Sequence, residues 1–96
     1  MSAALHIVDN YNDVVDVLTS LTAIYERTIS VEPTLQQATH KQQRHKQLAS
    51  KVYHSLLPML VGCNPFELSD LQDHYNNLIH TISRSFAVDL EHPRPH

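Results

Sequence analysis

The sequence predicts an all-α protein, an up-down-up three-helix bundle whose long middle helix is kinked at a proline. Apolar residues recur every three to four positions in three separate stretches, the period of one helix side rather than the alternation by two of a strand. One glycine and no tryptophan in 96 residues leave little room for the tight turns of a sheet protein. Pro33, Pro58 and Pro65 punctuate the chain where helices start, bend or stop.

The first helix is expected to start near Asp9 to Asn12, where Asx side chains cap free amides and Asp13 suits the positive end of the helix dipole. Tyr11, Val14, Val17, Leu18, Leu21, Ile24 and Tyr25 then share one face, opposite Asp16, Thr19, Ser20, Ala23 and Arg27. Residues 1–8 ahead of it read as a flexible N-terminus. Pro33 pushes Glu32 out of the helical region and is itself favoured in a first turn, so the chain breaks around Ser30 to Glu32. So short a connection makes the first two helices antiparallel neighbours.

The middle helix, Pro33 to Gly62, organises the rest. Leu35, Ala38, Gln42, His45, Ala49, Val52, Leu56 and Met59 are spaced alternately three and four residues apart and form a seam, widened by Tyr53 and Leu60. From Ala49 onward the seam is apolar and reads as core. The earlier half carries Gln42 and His45 where a core would want leucine. A buried polar group without a partner costs about 1–3 kcal/mol, so this half is either partly solvated or met by matching polar groups. Pro58 removes a backbone bond and crowds the His54 carbonyl, which implies a kink, or a stop and short restart, at Ser55 to Pro58. Gly62 supplies a left-handed closing position.

Asn64, Pro65 and Glu67 follow as cap, first-turn proline and third-position carboxylate, the start signal of a third helix. That helix aligns Leu68, Leu71, Tyr75, Leu78, Ile79, Ile82 and Phe86 and is expected to end near Val88, leaving residues 89–96, with two prolines, as a flexible tail. The whole reads as one domain over residues 9–88. At 1.5 Å per residue the three helices come to roughly 30, 43 and 35 Å, so the middle one should overhang its neighbours by about 10 Å unless it breaks.

Charge and motif searches narrow the function classes. Seven Lys and Arg against ten Asp and Glu give a formal charge of −3, too mild to draw nucleic acid to the molecule as a whole. Acidic residues gather on the first helix and at the start of the third, cations on the middle one. No apolar run reaches the ~18–20 residues a bilayer span requires, and no basic residue precedes an apolar N-terminal core, so neither membrane insertion nor secretion is expected. A lone Cys63 makes the fold independent of an oxidising compartment, which leaves the cytoplasm as the expected location.

Eight histidines raise a metal or pH-sensing role, but His40 to His45 and His74 to His80 point in different directions on a helix and no His-Glu-x-x-His occurs. No local motif ties Cys63 or a serine to a histidine and an acid. No enzymatic activity, metal or cofactor is therefore expected.

Two surfaces remain. Leu35, Ala38, Gln42, His45, Ala49 and Tyr53 form a candidate face for a protein partner or a second copy of the chain, since polar residues in an apolar seam can set register and partner choice. His40, Arg44, Lys51 and His54 line the opposite side, with Gln47 among them, and could follow a phosphate backbone or an acidic partner, or simply be a solvated face. The leading expectation is a small regulator, adaptor or escort that acts by protein contact; the rival is a small nucleic-acid-binding regulator.

Overall fold

The computed structural model describes residues 3–89, with side chains from Asn10 onward. It contains three α-helices, α1 (Ala3–Arg27), α2 (Leu35–Leu56) and α3 (Pro65–Ser85). A 3-10 helix, Leu57–Leu60, follows α2 directly, and two short strands, β1 (Ser30–Glu32) and β2 (Phe86–Val88), follow α1 and α3.

The core sits on α3. Leu71, Leu78 and Ile82, one helix side, are fully buried. Against them lie Val14 and Leu18 of α1, Ala49 and Tyr53 of α2, and Leu60 of the 3-10 helix. The association of α1 with α3 is the most extensive, that of α2 with α3 comes next, and direct contact between α1 and α2 is slight. Each fully buried leucine or isoleucine contributes about 1.5–3 kcal/mol by leaving water, which is why α3 holds its neighbours more firmly than they hold one another.

Helix boundaries follow local chemistry. The capping box at α3 forms as the sequence implies: the Glu67 amide donates to the Asn64 side chain at 2.8 Å, and the Asn64 amide donates to the Glu67 carboxylate at 3.0 Å. Gly62 takes a positive φ of 95°, a conformation without penalty only for glycine. The start of α2 is set by Thr34 rather than Pro33; its hydroxyl accepts from the Gln37 amide at 3.1 Å. Ahead of Pro58 the α-helix ends at Leu56, and the proline lies inside the 3-10 helix, where its missing amide removes no α-helical bond.

Three expectations are corrected. α1 begins at Ala3 rather than at Asp9 to Asn12, because Ala3, Ala4 and Leu5 are strong helix formers and carry the helix through the Asx residues. The middle helix breaks at Leu56 and so does not outrun its neighbours, α2 having 22 residues against 25 in α1 and 21 in α3. Ser30 to Glu32 is a strand rather than a plain break, and Phe86 and Val88, expected in the third helix, leave it for the facing strand. The two strands pair in parallel, Ser30 with Phe86, Val31 with Ala87 and Glu32 with Val88. Valine and phenylalanine suit extended backbone, and Pro33 denies Glu32 the helical alternative. The expected tail lies, from residue 90 on, outside the described residues, as do residues 1 and 2.

The burial of Leu78 and the cap at Asn64 give two measurable differences. Leu78→Ala is expected to destabilise the fold by about 2–5 kcal/mol and Asn64→Ala by about 1 kcal/mol, both read from urea or thermal unfolding followed by circular dichroism. Equal losses would contradict a core centred on α3.

Candidate functional site

Of the six residues expected to face a partner, only Leu35 stands at the surface, with 67% of its area exposed. Ala38, Ala49 and Tyr53 are buried. Tyr53 stacks on Tyr75 of α3 with ring centroids 4.3 Å apart. Gln42 and His45, the polar interruption of the seam, are satisfied by the chain itself. Gln42 Nε2 donates to the Phe86 carbonyl at 2.7 Å, and His45 Nδ1 meets the Tyr25 hydroxyl at 2.7 Å. The imidazole also lies 4.8 Å from the Phe86 ring. Burial raises the Tyr25 phenol above its usual range, so it stays protonated and able to donate to the imidazole nitrogen. The first half of the seam is thus occupied by the end of α1 and by β2, for which the sequence signal was two polar residues at seam positions.

The basic side of α2 is exposed at His40, Arg44, Lys51 and His54. His54 folds back, its Nδ1 lying 2.7 Å from the Ser50 carbonyl. His40 borders an open depression shared with Glu32, Thr34, Gln36, Gln37 and Lys41. There Lys41 Nζ binds Glu32 at 2.8 Å, and the Ser30 hydroxyl donates to the same carboxylate. The Lys41 contact, aided by Ser30, holds the Glu32 carboxyl below its usual range. One cation of the middle helix is therefore committed to an internal acid, and Arg44 and Lys51 remain as the permanently charged members of the ridge.

A different surface emerges that sequence reasoning had assigned in part to the core. Val17 and Ile24 of α1 are 36% and 50% exposed, and Leu48 and Val52 of α2 are 47% and 36% exposed. One hydrogen bond joins α1 to α2, Tyr25 with His45, and a second joins α1 to the 3-10 helix beyond it, the Asn10 amide side chain donating to the Met59 carbonyl at 3.2 Å. With 100° between successive residues, Val17 and Ile24 lie past Tyr25 on the side of α1 away from α3. Leu48 and Val52 lie past His45 on the same side of α2. By helix phase the four line the same outer side of the α1–α2 pair, an apolar strip bordered by exposed Asp13 and Asp16 on α1 and by exposed Arg44 and Lys51 on α2. The signal for it was available: Val17 and Ile24 sit at the edge of the apolar arc of α1, and Leu48 stands one position ahead of the seam residue Ala49.

The acidic start of α3 is tied internally. The Tyr11 hydroxyl donates to Asp70, which also faces His74 Nε2 at 3.4 Å. That hydrogen bond, with burial, pushes the Tyr11 phenol up to about 12. Burial, aided by Glu67, raises the Cys63 thiol above its usual value, which disfavours the thiolate a nucleophile requires. Among the described residues no group of three or more His, Cys, Asp or Glu side chains gathers where a metal ion could be held, and no helix is long and apolar enough to cross a membrane.

Because the folded pKa of Glu32 is depressed, its contribution is present above the ordinary value of 4.5 and is lost as pH falls through the lower folded value. Glu32→Gln is therefore expected to lower the unfolding midpoint at pH 6–7 and to converge with the parent in strong acid, as followed by circular dichroism. A constant difference at every pH would contradict the ion pair with Lys41. Comparison of the chain with protein families, with characterised proteins and with solved structures returns no match.

Proposed function

We propose that the chain is a small, non-enzymatic protein-interaction module of the cytoplasm, an up-down-up three-helix bundle with its middle helix turned at Pro58, that acts as a regulator, adaptor or escort. The observation that carries this reading is the exposed apolar strip of Val17, Ile24, Leu48 and Val52. Scattered exposed apolar residues are ordinary, whereas four aligned along one groove between two helices form a connected surface of the kind that marks a contact site. The docking face moves accordingly from the buried seam residues Ala38, Ala49 and Tyr53 to the strip beside them, while Gln42 and His45 hold the scaffold.

The rival reading, nucleic acid along His40, Arg44, Lys51 and His54, draws less support. Two permanent cations and no interleaved aromatic side chain give little to neutralise a backbone or to stack bases.

The test is affinity capture with the intact protein and with a Leu48→Asp, Val52→Asp variant whose melting curve matches the parent. A partner held by the parent, retained at 0.5 M salt and lost by the variant is the expected result, because apolar docking resists screening. Equal capture by both proteins would overturn the assignment of this face. In parallel, a gel shift at low salt that disappears in Arg44→Glu, Lys51→Glu would favour the nucleic-acid reading instead.

A further inference from the structure

Resting on the reading of the strip as a docking face, we propose that its occupant is a second copy of this chain. The strip is bordered by unlike charges: Asp13 and Asp16 along α1, Arg44 and Lys51 along α2, all exposed. A two-fold interface requires one patch to complement itself, and a surface with an acidic border on one side and a basic border on the other meets that condition. A two-fold axis running along the groove lays α1 of one copy over α2 of its partner.

The levels within the molecule then decide what meets. Tyr25 of α1 is level with His45 of α2 by their hydrogen bond, and Asn10 lies beside Met59 just past the end of α2. Counting from Tyr25 and His45 at 1.5 Å per residue sets Val17 within about 2 Å of the level of Val52, and Asp16 within about 5 Å of the level of Lys51. Rotation about the groove preserves level, so Val17 of one copy faces Val52 of the other and Asp16 faces Lys51. The apolar residues supply the attraction, and the exposed charges, individually weak, select the orientation. Arg27 is the exception on the acidic border, because the same rotation brings it near Arg44 of the partner. That mismatch gives the arrangement a signed consequence, since reversing the Arg27 charge should tighten the dimer.

The experiment is sedimentation velocity of the full chain from about 10 μM to 1 mM, with far-UV circular dichroism confirming that each variant folds. The parent is expected to shift from monomer to dimer across this range, and Val52→Glu and Val17→Glu, on different helices, are each expected to weaken dimerisation at least tenfold. Asp16→Lys or Lys51→Glu alone is expected to weaken it about threefold to tenfold, the two together to restore it, and Arg27→Glu to strengthen it. A parent that stays monomeric throughout overturns the second-copy assignment, leaving the docking face itself to the capture experiment. A dimer indifferent to both valine substitutions overturns the assignment and the docking face together. A dimer lost in the valine variants but weakened by Arg27→Glu overturns the axis along the groove.

Discussion

One apolar side of α3 bears the weight of this molecule. Leu71, Leu78 and Ile82 have no exposed surface, and Val14 and Leu18 of α1, Ala49 and Tyr53 of α2 and Leu60 of the 3-10 helix join them in one core. Three helices arranged so leave an asymmetry. The two that pack on α3 are held to it more than to each other, and the four apolar residues on the outer side of that pair stay exposed among the described residues. A fourth element would close such a face in a larger bundle. Here the sequence keeps valine, isoleucine and leucine on it, at exposures from 36% to 50%.

At one end the polar groups do what side-chain packing does elsewhere. Gln42 holds the Phe86 carbonyl, His45 meets Tyr25, and the Ser85 hydroxyl donates to the Tyr25 carbonyl at 2.8 Å. Each of these contacts joins two different elements. No buried side-chain nitrogen or oxygen among the described residues lacks a partner. Polar residues in a seam are costly only when unpaired, and once paired they favour a single register over its neighbours, because a shift by one turn would strand them.

Much of this was legible in the chain. The capping box of Asn64 and Glu67, the glycine closure and the apolar faces of α1 and α3 depend on local chemistry that residue types reveal. What escaped reading was set by distance. Nothing near Gln42 announces the carbonyl of Phe86, and nothing near Ser30 announces a strand partner more than fifty residues on, so the sequence shows only open polarity at the one and a break at the other. The face of α2 was read with the right period but a displaced centre. Periodicity gives the width of an apolar arc without saying which part of it a neighbour covers. Val17, Ile24, Leu48 and Val52 lie at arc edges, where the answer depends on tertiary placement alone.

The parallel ladder between β1 and β2 has a kinetic consequence. Its two strands lie at the far ends of the stretch that contains α2 and α3, so their pairing follows the packing of α1 and α2 on α3. Three residue pairs cannot hold such a ribbon alone. It therefore behaves as a clasp that snaps shut last during folding and loosens first under heat, ahead of the cooperative melting of the helices.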